Sequence, residues 1–201
     1  MKTLFEACKP RENVFDEYNR EDVLNLSDLI ENKINPYEFF TENYITVGME
    51  RLFEYAFNRF KRKSPTGIIK LTQAMGGGKT HNMLALGLLA QNPNFRDKIL
   101  GDKYNDDYLG KIKVVAFTGR ESDAPYGIWG AIAEQLGKRE QFNSYYTPLS
   151  APGEGAWIKL LQGEPLLILL DELPPYLENA KSKMIDRKST RLNSSHPLDL
   201  V

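Results

Sequence analysis

The sequence predicts an α/β fold in which a parallel sheet is flanked by helices. Short runs rich in apolar and β-branched residues recur at 68–73, 112–119 and 165–170, and each has the length of a strand. Segments with helical periodicity separate these runs, which is the alternation expected of a parallel sheet buried on both faces. A run of three glycines directly after the first predicted strand is the third observation.

Bulk composition excludes several classes of protein. The 26 basic and 27 acidic residues give a net charge of −1, so the overall charge does not indicate a nucleic acid or an anionic membrane as an obligatory partner. Cys8 is the single cysteine, which excludes an internal disulfide and suits a reducing compartment. No apolar run is long enough to span a bilayer. We therefore expect a cytoplasmic protein of one main domain with no membrane partner.

The N-terminal part of the sequence predicts a small cap followed by a helix. Residues 1–45 are polar, with one short helix at 23–30 and an aromatic-rich turn, "NPYEFF". From Thr46 to Lys63 the apolar residues recur at helical spacing, and Thr46 is available as the N-cap. The basic end of this helix, "RFKRK", is either a nucleic-acid patch or, as we prefer, a set of cations at the negative end of the helix dipole.

The remaining elements, from residue 64 onward, form the predicted sheet and its helices. After the break "SPTG" comes the strand "IIKLTQ", then the glycines, then the helix "THNMLALGLLAQN", which is apolar almost all round and therefore buried. The later predicted elements are short and have clear boundaries. They are a strand at 112–119, helices at 126–136 and 154–162, and the strand "PLLILL" at 165–170.

The stretch "LTQAMGGGKTH" has the composition of a phosphate-binding loop. Backbone N–H groups at the start of a helix can face phosphate oxygens, and glycines permit the close approach that a Cβ would block. In this pattern Lys79 supplies a positive charge to the β- and γ-phosphates, and Thr80 contributes its hydroxyl to Mg²⁺. Gln73 stands where the strict pattern has its first glycine. The alternative is a simple glycine turn, which would place Lys79 unfavourably against the helix dipole.

Asp171 and Glu172 directly follow the last predicted strand. Carboxylates at the carboxyl end of a parallel strand project into the crevice where ligands bind in open α/β sheets. We expect Asp171 to hold Mg²⁺ and Glu172 to orient or deprotonate a water that attacks the γ-phosphate. The alternative is that the pair merely starts a surface loop. Arg120, after the second strand, faces either the nucleotide, a neighbouring subunit or, more simply, solvent.

With both motifs in place, the sequence resembles the additional-strand catalytic-glutamate branch of P-loop ATPases, which includes the AAA-type machines. More closely, "MKTLFEACKPRENV", "NPYEFFTENYIT", "KLTQAMGGGKTHNMLALGLLA" and "LLDELPPYLENAKSK" resemble the N-terminal part of a large prokaryotic ATPase family named domain of unknown function 499. That family also has Gln in place of the first glycine. The resemblance implies an ATPase subunit of a DNA-directed phage-defence system, with DNA-modification or helicase proteins as partners and a homo-oligomer as a possible assembly.

The expected organisation is an N-terminal arm or cap at 1–45, a partial P-loop ATPase domain at 46–185 and a tail at 186–201. The tail, "DRKSTRLNSSHPLDLV", is polar and aperiodic, so we expect it to be disordered and not native to this protein. In the ATPase branch that the sequence resembles, a later strand lies between the loop strand and the Asp171 strand. We therefore expect a fragment whose sheet is incomplete at the C-terminal side and has exposed strand edges.

The predicted function is ATP binding and hydrolysis with ATP and Mg²⁺ as ligands. The residues that we expect to contact the nucleotide are consecutive: Met75, Gly76, Gly77, Gly78, Lys79, Thr80 and His81. Lys79 and Glu172 are the predicted catalytic residues, and Thr80 and Asp171 the predicted metal ligands. His81 could instead be a hydrogen-bonded structural residue. Two other functions stay open: a P-loop kinase, and a regulatory module that binds nucleotide without turnover.

Overall fold

A computed structural model of the chain describes residues 3, 8, 23–72, 76–101, 109–120 and 124–181. The predicted tail at 186–201 and most of residues 1–22 lie outside this part. The described chain mixes helices with a small parallel sheet, in agreement with the predicted α/β class. Among the described residues, no helix is both long and apolar enough to cross a bilayer.

Three helices precede the glycine loop: α1 (Leu26–Ile30), α2 (Pro36–Glu42) and α3 (Val47–Phe60). The predicted N-cap of α3 is confirmed, because the Thr46 hydroxyl accepts a hydrogen bond from the Met49 N–H. The prediction of a turn at "NPYEFF" is wrong, since this segment forms α2. Asn35 caps the helix by accepting from the Tyr37 N–H, and Pro36 occupies the first helical position, where its missing N–H costs nothing.

The central helix of the fold is α4 (Lys79–Gln91), which matches the predicted buried helix. All residues from Met83 to Ala90 are buried, as an apolar composition on every face requires. At Gly87 a Cβ would lie 2.3 Å from Leu29 Cδ2, so the Leu29 side chain of α1 packs closely over α4 at this glycine. The core around α4 includes residues of α1, α2 and α3, which therefore pack as one body with the glycine-loop helix.

The sheet consists of β1 (Lys113–Thr118) and β2 (Leu166–Asp171), paired in parallel with Thr118 opposite Asp171. The side chains of Ala116 and Leu169 belong to the core around α4. On the opposite face Phe117 packs edge-on against the Tyr176 ring at 5.1 Å. The amide of Gln135 closes the outer edge of β1, donating to the Ala116 carbonyl at 2.7 Å and accepting from its N–H at 2.9 Å.

The predicted strand at 68–73 is wrong for the part that the structure describes, since residues 64–72 form neither helix nor strand. A strand needs a neighbour for its backbone N–H and C=O groups. Among the described residues β1 and β2 pair only with each other, and the apolar run is left without a partner. Its Ile68 side chain is 88 % exposed.

Five further elements complete the described chain. Helix α5 (Pro93–Leu100) was not predicted; Pro93 ends α4 but also starts this new helix. The predicted helices at 126–136 and 154–162 are confirmed as α6 (Gly127–Gln135) and α7 (Glu154–Leu161). A 3₁₀ helix at Arg139–Tyr145 lies between them, and residues 173–181 form helix α8 after β2. Phe142 and Leu160 form a second, smaller core with α6.

One buried charge holds the end of α4 to the start of the sheet. The Arg96 side chain is 2 % exposed and lies over the Phe57 ring, with 5.0 Å from its guanidinium carbon to the ring centroid. Its guanidinium donates to four backbone carbonyls, those of Leu89, Ala90, Leu109 and Gly110. Burial lowers the pKa of Arg96. This residue therefore satisfies carbonyls at the end of α4, which have no partner within the helix.

Candidate functional site

The glycine loop leads into the N-terminus of α4. Gly76 and Gly78 have φ angles of +77° and +74°, in the region that glycine adopts most readily. Gly78 is the N-cap of α4, and it has no side chain to bond the first N–H groups of the helix. A Cβ at Gly76 would meet nothing within 4 Å. The space beside the loop is therefore open, and the N–H groups of the first turn can face a ligand there. Met75 and Gln73 lie outside the described residues.

The structure brings Thr80 and Asp171 together across 91 residues of sequence. The Thr80 hydroxyl donates to Asp171 Oδ2 at 2.5 Å. Thr80 lies in the first turn of α4, and Asp171 is the last residue of β2. The other carboxylate oxygen, Oδ1, accepts from the Glu172 N–H at 3.0 Å. Both predicted metal ligands thus lie at the carboxyl edge of the sheet, beside the glycine loop.

The ends of β1 and β2 approach each other closely at this edge. The Gly119 N–H donates to the Asp171 carbonyl at 2.9 Å, which continues the ladder one residue past β1. A Cβ at Gly119 would lie 2.0 Å from the carbonyl oxygen of Glu172. The backbone that carries Glu172 is therefore packed directly against Gly119.

We expect Gly119→Ala to destabilise the fold by about 1–3 kcal/mol, because the new methyl group forces the Glu172 backbone to move. The measurement is urea unfolding followed by circular dichroism. Gly110→Ala is the matched control, since a Cβ at Gly110 meets nothing within 4 Å. That control should change stability by no more than about 0.5 kcal/mol. Equal stability of the two variants would show that the close approach at Gly119 is absent in solution.

Glu172 is held in a particular conformation by its surroundings. Its φ of +47° lies in the left-handed region, which is uncommon for a residue with a side chain. Its carboxylate forms an ion pair with the Arg120 guanidinium. The Arg120 side chain is 74 % exposed, so this pair contributes at most about 1 kcal/mol to stability. The sequence left the nucleotide, a neighbouring subunit or solvent open for Arg120. The structure shows a largely exposed side chain that pairs with Glu172.

Lys79 and His81 occupy the same first turn of α4 as Thr80. Lys79 is half-buried and is the first residue of the helix. The His81 ring stacks on the Phe39 ring, with the centroids 4.8 Å apart and the planes at 22°. Burial lowers the pKa of His81, so the neutral imidazole is favoured at pH 7. The first turn therefore begins with Lys79, directs the Thr80 hydroxyl to Asp171 and packs His81 against α2.

The donors at this site fit a small, hard cation accompanied by phosphate. A hydroxyl and a carboxylate are the oxygen ligands that Mg²⁺ prefers, and Mg²⁺ usually takes its remaining ligands from water and phosphate. Within the described ranges no group of three or more His, Cys, Asp or Glu side chains could hold a metal ion by itself. A cavity of about 570 Å³ lies elsewhere, between α1, β1 and α6, and its lining does not include Lys79, Thr80 or Asp171. The candidate site at the sheet edge is therefore not part of the lining of that cavity.

Sequence reasoning missed Phe39 as a residue of this region. The signal was present, because Asn35 followed by Pro36 is a common helix start, and a helix places Phe39 on a single defined face. The contact of Phe39 with His81 joins positions 42 residues apart, and neither sequence segment indicates it by itself.

Comparison with known proteins gives a family match. A family model described as the DUF499 N-terminal domain matches residues 3–108, which is more than half of the chain. The matched range contains α1 to α5 and the glycine loop, whereas Asp171 and Glu172 lie beyond it. No curated protein and no solved structure matches the chain.

Proposed function

The chain belongs to the DUF499 family, and we propose that it binds ATP with Mg²⁺ and hydrolyses it as a P-loop ATPase. The observation that carries this proposal is the hydrogen bond of 2.5 Å between the Thr80 hydroxyl and Asp171. A threonine after a glycine loop and a carboxylate at the end of a parallel strand are the two protein ligands of Mg²⁺ in P-loop nucleotide sites.

The phosphate groups would lie against the glycine loop. The N–H groups of the first turn of α4 and the positive end of its dipole favour an anion there. Lys79 begins this turn and would neutralise charge on the β- and γ-phosphates. Thr80 and Asp171 would hold Mg²⁺, which supplies positive charge to the phosphate oxygens. Gly76, Gly77 and Gly78 leave room for the phosphates, and Met75 and His81 would border the nucleotide.

Glu172 is the residue that we assign to the attacking water. It follows the metal ligand Asp171 directly, and its backbone is fixed by Gly119 and by the bond from its N–H to Asp171. A carboxylate at this position can orient a water or accept its proton as the water attacks the γ-phosphate. For this step the ion pair with Arg120 has to open, because the guanidinium contacts the Glu172 carboxylate that has to bond the water.

The fold that we propose is the additional-strand catalytic-glutamate type of P-loop NTPase. Its support is the combination of a parallel β1–β2 pair, Asp171 at the end of β2, and α4 following a glycine loop. As the wider role, we propose a DNA-directed anti-phage defence system with DNA-modification or helicase proteins as partners. The support for that role is the resemblance of the quoted sequence segments.

We expect Lys79→Ala to remove most of the stabilisation that Mg-ATP gives to the folded chain. ATP at about one hundred times its dissociation constant adds about 2.7 kcal/mol to the unmutated protein, a visible shift in a melting curve. The control is Lys98→Ala, which replaces an exposed lysine of α5 outside the site. This variant should keep the shift in the melting curve. In a host that carries the gene, the same Lys79 change should abolish phage resistance. An unchanged shift in the variant would contradict the assignment of the loop.

A second candidate function is nucleotide binding without turnover, in which the γ-phosphate orders a partner surface. The observation that favours it is the Arg120–Glu172 ion pair, which occupies the proposed base. The two functions differ in one result: only an ATPase releases phosphate from ATP without an added acceptor. A requirement for an acceptor would instead indicate a P-loop kinase.

A further inference from the structure

Helix α2 touches the candidate phosphate site through one aromatic contact. Phe39 is 3 % exposed, and its ring stacks on the ring of His81 at 4.8 Å. His81 directly follows Thr80, within the first turn of α4. The contact therefore lies one residue from a side chain that we assign to Mg²⁺ and two residues from Lys79.

The position of Phe39 is itself fixed on several sides. The Asn35 cap and Pro36 define the start of α2, and the Thr41 hydroxyl bonds the Tyr37 carbonyl at 2.7 Å within it. The Phe40 ring meets the Phe39 ring edge-on at 5.2 Å. A buried ring on a capped helix has few alternative rotamers, so it can hold its neighbour in place.

The first turn of α4 follows three glycines and starts without a side-chain cap. Gly78 provides no side-chain cap, and the preceding glycines permit many backbone conformations. The bond from Thr80 to Asp171 ties this turn to β2, and the stacking of His81 on Phe39 ties it to α2. A turn that presents N–H groups to phosphate must keep one orientation, because small displacements weaken bonds to a fixed ligand strongly.

We propose that Phe39 is a positioning residue of the phosphate site, which acts by stacking on His81 and thereby fixing the first turn of α4. This inference rests on the proposed nucleotide binding. It gives helix α2 a part in ligand affinity, although α2 belongs to the segment that the sequence predicts as a separate cap. By linkage, bound nucleotide must also stabilise α2.

The first experiment measures ATP affinity by calorimetry in the presence of Mg²⁺. Phe39→Leu should raise the dissociation constant by about three- to tenfold, which corresponds to the interaction free energy of one aromatic pair. Phe60→Leu is the matched control, because Phe60 is a half-buried ring that packs on the same core at the end of α3. It should lower the melting temperature and leave the dissociation constant within about twofold. Equal affinity in both variants and the unmutated chain would overturn the inference.

A pair of variants at His81 keeps the proposal testable if Phe39→Leu does not fold. His81 is half-buried and tolerates change more readily than Phe39. His81→Phe retains a stacked ring without imidazole nitrogens, and His81→Leu removes the ring. We expect the dissociation constant to rise more in His81→Leu than in His81→Phe, because only His81→Leu removes the stacked ring. An equal rise in both would show that affinity depends on the imidazole nitrogens and not on the stacked ring, and a rise in neither would show that the contact is only structural; both outcomes overturn the inference.

Hydrogen exchange gives a readout that a purely structural role would not change. In the unmutated chain Mg-ATP should slow amide exchange in α2 as well as in the first turn of α4. In Phe39→Leu it should slow exchange in α4 alone. If the unmutated chain binds no Mg-ATP, the proposed function fails and the inference with it. If the chain binds but α2 exchanges at the same rate with and without nucleotide, the inference fails alone.

Discussion

Replacing Glu172 with Gln is expected to slow ATP hydrolysis by about 10²- to 10⁴-fold, because the amide cannot accept a proton from the attacking water. The dissociation constant for Mg-ATP should stay within about threefold, since Gln has nearly the same shape and the phosphate contacts come from other residues. The measurement is phosphate release from Mg-ATP without an added acceptor, together with ATP affinity from calorimetry.

The control for Glu172→Gln is Glu164→Gln. Glu164 is an exposed glutamate that pairs with Lys113 at the opposite end of the sheet. Its hydrolysis rate should equal that of the unmutated chain. If Glu172→Gln hydrolyses ATP at the unmutated rate, Glu172 is not the base. If the unmutated chain binds ATP and releases no phosphate, the regulatory module becomes the better account of the site.

The second large effect is expected at Arg96, where Arg96→Met should destabilise the fold by about 3–5 kcal/mol. The methionine fills part of the volume but removes the guanidinium donor from the carbonyls of Leu89, Leu109 and Gly110. The Ala90 carbonyl keeps a second donor, the Ile112 N–H at 2.9 Å. Each buried carbonyl that loses its hydrogen-bond donor lowers the free energy of unfolding by about 1–3 kcal/mol, and movement of the surrounding backbone recovers part of this loss. Because folded proteins are stable by only about 5–15 kcal/mol, this loss is a large fraction of the free energy of unfolding.

Urea unfolding at pH 7 measures this change, with Arg51→Met as the matched control. Arg51 is an exposed residue of α3, so its replacement should alter stability by no more than about 0.5 kcal/mol. An Arg96→Met variant as stable as the control would mean that the carbonyls of Leu89, Leu109 and Gly110 find water or other donors. The result would then contradict the assignment of Arg96 as the link between α4 and the sheet.

Elements with a strong local pattern could be predicted from the sequence. Helices α3, α4, α6 and α7 have clear periodicity and boundaries, and β1 and β2 are short apolar runs. The strand predicted at 68–73 is wrong because strand formation depends on a partner that the local pattern does not specify. Helix α2 was missed because it is short and has no repeating apolar period, so its Asn35–Pro36 start is the signal that indicates it.

Much of the candidate site could also be predicted, because its residues are adjacent in sequence to recognisable elements. The glycines precede a buried helix that begins with Lys79 and Thr80, and Asp171 ends an apolar strand, so their approach follows from the order of elements. The ion pair of Arg120 with Glu172 and the stacking of Phe39 on His81 depend on distant segments meeting. Their details required the packed structure.

The most direct test of the nucleotide site is a calorimetric titration of the unmutated chain with ATP in the presence of Mg²⁺. We predict saturable binding of one ATP per chain, weakened when Mg²⁺ is replaced by excess chelator, because Thr80 and Asp171 act through the cation. No heat of binding at millimolar ATP, with the chain shown to be folded by circular dichroism, would contradict the proposal.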